Sequence, residues 1–234
     1  MAVQVKLSVF QGKIIAIDGP AGSGKSTTAK KLANRLGFTY LDTGAMYRAV
    51  ALFALRNQVS LEDSNALAQI AKKIKIEFQN SDNGQLVFLN GEDVTEAIRT
   101  PEATHGSSAV AVFPEVRDEL VAQQQALGKK GSIVVEGRDT TSVVFPTADL
   151  KIFLDADITV RAQRRFLEAM HKGDETSVDK QIELLKARDK NDSERKASPL
   201  QKVHDAIVVD TTAMSIDEQV ETIIKIAKKQ FTVA

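Results

Sequence analysis
The apolar run Ile14-Ile15-Ala16-Ile17 ends at Asp18-Gly19, and after a glycine-rich stretch Ala29, Leu32, Ala33 and Leu36 recur at helical spacing up to Gly37. A short unbroken apolar run followed by a 3.6-residue period predicts a buried strand, a loop, and an amphipathic helix closed by a left-handed glycine cap. Phe38 to Leu41 is a short strand candidate, and Asp42-Thr43-Gly44 is expected to turn at its carboxyl end. Met46, Ala49, Val50, Phe53 and Ala54 then carry a second helix, and Leu67, Ile70, Ala71 and Ile74 a third. At Ile74 the period drops to two. Ile74, Ile76 and Phe78 alternate, Ser81-Asp82-Asn83-Gly84 supplies turn residues, and Leu86 and Phe88 alternate again, which is the pattern of an antiparallel hairpin.

Pro101 opens a segment running through Ser107-Ser108-Ala109 to Phe113, and Pro114 stands where the first residue of a helix belongs, with Val116, Leu120, Val121 and Leu127 on one face. Ser132-Ile133-Val134-Val135-Glu136 reads as a central parallel strand, and Lys151 to Leu154, closed by Asp155, as the next. From His171 to Pro199 the chain is almost all polar around a helix at Ile182 and Leu185. Inside a compact α/β domain such a segment is either disordered or a mobile lid. Ala206 to Val209 is the last strand, and Ser215 with Glu218 makes a capping box for a helix burying Val220, Ile223, Ile224 and Ala227. The expectation is an α/β, three-layer domain over 1–234: five parallel strands with helices on both faces, an antiparallel lobe inserted at 62–104, and a helical lid at 161–195.

With 234 residues and 43% hydrophobic content the chain can bury a sizeable core. Its 31 basic and 31 acidic residues cancel, which argues against nucleic acid or a membrane surface as partner. No cysteine is present, so disulfides and thiolate metal sites are excluded, in keeping with a reducing cytosol. Val3, Val5, Leu7 and Val9 alternate in short steps, and no segment is apolar over a bilayer-spanning length. The reading is a soluble cytoplasmic monomer.

The glycine-rich stretch carries the chemistry. Gly19-Pro20-Ala21-Gly22-Ser23-Gly24-Lys25-Ser26 fits G-x-x-x-x-G-K-[ST], between a strand and a helix as that motif requires. Glycines let successive backbone N–H groups turn toward a polyphosphate, and the following helix adds partial positive charge. Lys25 can reach the β/γ-phosphates and the Ser26 hydroxyl can ligate Mg²⁺, so the chain is expected to bind a nucleoside triphosphate. Arg48 follows a strand end, where α/β sheets gather ligands. A second phosphate or a solvated surface position accounts for it equally well. Arg161, Arg164 and Arg165 recur at one-turn spacing. By spacing alone they could converge on an anion, and an exposed ion-pair face is the simpler account.

No D-x-x-G switch with N-K-x-D, and no pair of adjacent glycines, occurs in the chain. A GTPase and an ABC-type ATPase are thereby disfavoured, and a small kinase remains. The sequence resembles the bacterial cytidylate kinases, a nucleoside monophosphate kinase family with a P-loop fold, over essentially its whole length. The residues that carry the resemblance are Gly19 to Ser26, Leu41-Asp-Thr-Gly-Ala-Met-Tyr-Arg48, Gly91-Glu-Asp-Val-Thr-Glu-Ala-Ile-Arg-Thr-Pro101, Phe113-Pro-Glu-Val-Arg117, Gly137-Arg-Asp139, and Arg188-Asp-x-x-Asp192 followed by Arg195 and Pro199-Leu200.

The resemblance implies transfer from ATP to CMP or dCMP with Mg²⁺. It implies that Gly19 to Ser26, Thr27 and Arg164 hold ATP, with Ser26 on the metal. Thr43, Tyr47 and Arg48 would hold the acceptor, Arg48 on its phosphate. Ser108, Arg117 and Asp139 would surround the cytosine, Arg138 and Arg188 would contact phosphate or sugar, and Asp192 would reach the ribose with Arg195 close by. Lys25, Arg138, Arg161, Arg165 and Arg188 would neutralise charge on the transferred group. The attacking phosphate oxygen is already anionic, so no general base is demanded of His105, His171 or His204. A kinase for UMP or AMP, or a regulatory ATPase module, is the alternative. One departure stands out: the family's Gly-Arg-Asp-hydrophobe-Gly-Thr is here Gly137-Arg-Asp-Thr-Thr-Ser142. Thr141 in place of glycine puts the geometry of that turn in question.

Overall fold
The first strand and the glycine-rich loop after it form the central element of the structure, a computed structural model that describes residues 7–81, 84–171 and 173–233. In chain order the elements are β1 (Ile14–Asp18), α1 (Lys25–Leu36), β2 (Thr39–Asp42), α2 (Thr43–Arg56), α3 (Ser64–Lys73), β3 (Ile76–Ser81), β4 (Gly84–Leu89) and β5 (Glu92–Asp93). Then come α4 (Pro101–Val110), α5 (Pro114–Gly128), β6 (Ile133–Gly137), β7 (Leu150–Asp155), α6 (Ile158–His171), α7 (Val178–Glu194), β8 (Ile207–Asp210) and α8 (Ile216–Val233). The chain divides into two compact units, one built from the residues up to Tyr40, Lys130–Glu194 and the residues from Ser198, the other from Leu41–Lys129 and Arg195–Ala197.

The five-stranded sheet runs in the order β2-β6-β1-β7-β8. β1 pairs in parallel with β6 (Asp18 opposite Gly137) and with β7 (Asp18 opposite Phe153). Ile15, Ala16 and Ile17 are wholly buried, as a strand covered on both faces requires. Leu32 and Ala33 of α1 and Val220, Ile223 and Ala227 of α8 pack into one core with Ile15, Ile17, Val134 and Ile152. Thr28 Oγ1 donates to Gln219 Oε1 at 2.6 Å, tying α1 to α8. α1 stops at Gly37 in the left-handed conformation, and the Ser215–Glu218 capping box forms with both hydrogen bonds in place.

In the other unit α2, α3, α4 and α5 accompany a three-stranded sheet, β3-β4-β5. Gly106 of α4 sits so close to α2 that an added Cβ would lie 3.0 Å from the Ala51 methyl.

Three expectations change, and two open stretches take a definite form. Asp42-Thr43-Gly44 makes no turn: β2 runs directly into α2, and Asp42 caps that helix by accepting from Ala45 N at 2.9 Å. The residues from Pro101 to Val110 are a helix with proline in its first turn. In β4 the buried side chains are Val87 and Leu89, while Leu86 and Phe88 are half-buried; Leu86 to Leu89 are all apolar, so period two does not say which set faces inward. On α5 the buried stripe is Val116, Arg117, Leu120 and Gln124, and Leu127 is exposed. The polar stretch after His171 contains one 17-residue helix, α7, whose buried residues are Leu185 and Asp192. The expected turn at Asp82-Asn83, and Val3 and Val5, lie outside the described residues.

Candidate active site
The loop between β1 and α1 is built as its sequence requires. Gly19 has φ 150°, and a Cβ there would lie 2.0 Å from the Leu154 carbonyl oxygen, so no other residue fits against the end of β7. Gly24, at φ 94°, starts α1. Lys25 is 5% exposed, and its Nζ donates to the Pro20 carbonyl at 2.8 Å across the loop. Burial, reinforced by the nearby charge of Arg138 and also by Arg188 and Arg165, pulls the Lys25 ammonium down to about 7, with Glu136 pulling the other way. The arginine charges outweigh Glu136 at this lysine, so an added anion there is favoured.

Ser26 and Thr27 are exposed at the start of α1. The Ser26 hydroxyl donates to Glu136 Oε1 at 2.7 Å, and the Tyr40 hydroxyl reaches the same oxygen at 3.3 Å. In the sequence Glu136 reads only as the end of a strand. The signal was there: a carboxylate closing a wholly apolar run has no place in a core unless it is used.

Beyond β6, Arg138 Nε donates to Asp192 Oδ2 of α7 at 2.7 Å, and Nη1 to the Gly137 carbonyl at 3.3 Å. Burial works against the Arg138 charge, but Asp192, Glu136 and Asp189 more than offset it, and the guanidinium is held protonated. Arg188 and Arg165 lie near enough to act on Lys25. Arg165 also pairs with Glu168 at 2.6 Å and is partly exposed. Arg161 is placed differently from expectation. Its Nη1 bonds the Ala21 carbonyl at 3.0 Å and Asp189 Oδ2 at 2.7 Å, and its Nε bonds the Ala156 carbonyl at 3.0 Å. Asp189 Oδ1 in turn accepts from Ala21 N at 3.4 Å, so both polar groups of one loop residue are held by a single ion pair. Arg164 donates to the Thr211 carbonyl at 2.6 Å and to the Gly22 carbonyl at 3.4 Å. Both side chains brace the loop through its carbonyls.

The departure at Thr141 also has a structural answer. Residues Thr140–Val144 form a π-helical turn, and Thr141 is not among the residues with positive φ, so glycine is not needed there.

In the other unit, Arg48 Nη2 pairs with Asp42 Oδ2 at 2.7 Å, the two side chains being 16% and 13% exposed. That excludes a solvated surface position. A Cβ on Gly44 would crowd Arg48 Nη1 at 3.1 Å, so glycine lets the guanidinium lie over the start of α2. Burial raises the Asp42 carboxyl, but Arg48, the Ala45 N–H and Arg99 outweigh it and hold the pKa below the usual range. The Arg117 guanidinium stacks 5.2 Å from the Tyr47 ring centre, with Nη1 donating to the Ala111 carbonyl at 3.1 Å. Thr43 is buried and Ser108 half-buried. Arg195 follows the end of α7 and belongs to this unit. His105, His171 and His204 are all exposed.

A glycine loop at the carboxyl edge of a parallel sheet, with a buried lysine on which three arginines act, defines a P-loop nucleotide-binding protein of the small-kinase type. The chain belongs to the cytidylate kinase family, whose model matches residues 15–229. The cytidylate kinase of Bacillus cereus is 49% identical over 217 residues, covering 93% of this chain and 96% of its own. That of Bacillus anthracis is 50% identical over 212 residues, covering 91% and 94%. Among solved structures, an uncharacterized protein from Eubacterium ventriosum shares the fold at TM-score 0.52 and 14% identity, over 92% of this chain and 98% of that one. No helix among the described residues is long and apolar enough to cross a membrane.

Proposed function
We propose that the protein transfers the γ-phosphoryl group of ATP to CMP or dCMP, giving ADP and CDP or dCDP. The observation that carries this reading is the phosphate loop folded around buried Lys25, with Arg138, Arg188 and Arg165 near enough to act on its charge, in a chain of the cytidylate kinase family. A phosphate oxygen of the acceptor attacks the γ-phosphorus as the bond to the β,γ-bridging oxygen breaks, and no proton has to move. Lys25 and the three arginines stabilise charge spread over the transferred group. Arg161 and Arg164 act at one remove, fixing the loop carbonyls so that the loop N–H groups face the phosphates.

The Ser26 hydroxyl and the Glu136 carboxylate, 2.7 Å apart, are hard oxygen donors of the kind Mg²⁺ prefers, and they leave it room for waters and phosphate oxygens. They fit a magnesium ion, which when bound would neutralise charge on the donor phosphates. On the acceptor, Arg48 is proposed for the phosphate, Thr43, Tyr47, Ser108 and Arg117 for binding the nucleotide, Asp139 for the cytosine amino group, and Arg188, Asp192 and Arg195 for sugar and phosphate. We place the reaction in the cytoplasm and read the protein as a monomer. The test is ADP release measured by a coupled assay with CMP, dCMP, UMP, AMP or no acceptor. Release should depend on CMP or dCMP, and acceptor-independent release would overturn the reading in favour of a nucleotide-hydrolysing module.

A further inference from the structure
Asp18 is the last residue of β1, next to Gly19, and its side chain is wholly buried. Its two oxygens each take two bonds from a pair of adjacent threonines. Oδ1 accepts from Thr140 N at 2.9 Å and Thr140 Oγ1 at 2.7 Å. Oδ2 accepts from Thr141 N at 2.8 Å and Thr141 Oγ1 at 2.6 Å. Each threonine is thus held at two points on one oxygen, and together they fix the two peptide units that follow Asp139. Burial still raises the Asp18 pKa despite these four donors, so none of them is surplus.

The clamp lies between two functional segments. On one side Asp18 continues into the phosphate loop. On the other, Thr140 begins the π-helical turn whose first carbonyl, that of Asp139, accepts from Val143 N at 2.9 Å and Val144 N at 3.2 Å. The Asp139 side chain takes no part in capping that turn. Backbone N–H bonds alone would let the 139–141 segment pivot about the carboxylate. The hydroxyls, on β-branched side chains with restricted χ1, remove that freedom.

We propose that the Thr140 and Thr141 hydroxyls are positioning groups for phosphoryl transfer, locking the Arg138–Asp139 turn to the head of the phosphate loop through Asp18. The proposal rests on the reading that Asp139 contacts the acceptor. Where catalysis is mostly positioning, a displacement of about 1 Å costs on the order of a hundredfold.

The test compares T140V/T141V, which removes both hydroxyls and keeps shape, β-branching and both N–H donors, with T140S/T141S, which keeps the hydroxyls. kcat and KM for CMP are measured at saturating ATP, ATP affinity by direct titration, and folding by thermal denaturation. The valine pair should lose about tenfold or more in kcat/KM for CMP, hold ATP affinity within about twofold, and be rescued by the serine pair to within about threefold. If the valine pair does not fold, T141V against T141S repeats the comparison with half of the clamp intact. Wild-type kcat/KM in the valine variant, or equal loss of CMP and ATP binding with no serine rescue, overturns the proposal. D139A is run beside them. An unchanged CMP profile there removes the acceptor role of Asp139, and that failure is separate from the outcome of the threonine variants.

Discussion

ATP binding should take up a proton at Lys25, and replacing that lysine by methionine should abolish the uptake. In the free protein burial and the surrounding arginines hold its ammonium at about 7, against 10.5 for an ordinary lysine. A bound polyphosphate brings several negative charges into contact with it, which restores the charged form through the accessible pH range. At pH 8 about nine-tenths of the free protein carries neutral Lys25, so binding takes up about 0.9 proton there. Uptake on binding means tighter binding as pH falls. The slope of log affinity against pH should be about −0.9 at pH 8, about −0.5 at pH 7 and near zero by pH 6. For the free protein the sign is consistent: an unfolded chain keeps this proton up to 10.5 while the folded one releases it near 7, so stability gains from pH 7 upward. The assay is titration calorimetry at pH 8 in buffers of different ionisation enthalpy, whose slope counts protons. K25M should show an uptake lower by nearly one proton and turnover lower by about two orders of magnitude or more. No uptake in the wild type, or the same uptake in K25M, would refute the reasoning.

D139N should narrow the preference for CMP over UMP mainly by losing CMP activity, because an amide can turn its nitrogen toward the uracil carbonyl; an unmoved ratio of specificity constants would make Asp139 structural. Amide hydrogen exchange across 161–195 should slow when ATP and CMP analogues bind together, since α7 buries only Leu185 and Asp192 and such helices open at low cost; equal exchange in free and doubly bound protein would reject closure. G19A should lose on the order of 3 kcal/mol or more in denaturant unfolding or fail to accumulate, because its methyl would meet the Leu154 carbonyl oxygen at 2.0 Å.

What could be read from the chain was whatever is encoded locally. The strand–loop–helix around Gly19 to Ser26 carries its own period change and its own glycines, and Gly37, Pro114 and the Ser215–Glu218 box mark helix ends by backbone and side-chain chemistry that acts within four residues. What could not be read was decided by partners far along the chain. Arg161, Arg164 and Arg165 share a spacing, but two of them bond loop carbonyls more than 130 residues away, and no helical period reports that. Position alone does not decide Arg48, because its burial depends on Asp42 and on the bare Cα of Gly44. Glu136 and Asp18 are illegible for the same reason, each being a strand-end carboxylate whose donors come from another element. Against the family pattern Thr141 is a loss of glycine. The carboxylate of Asp18, 123 positions earlier, gives that threonine its place.

The central claim is that the γ-phosphoryl group goes to a cytidine monophosphate and not to water. The direct measurement follows the label from γ-labelled ATP in the presence of CMP and magnesium, with products separated and identified. Label should appear in CDP in step with ADP formed. Label in inorganic phosphate at the same rate with or without CMP would contradict the account.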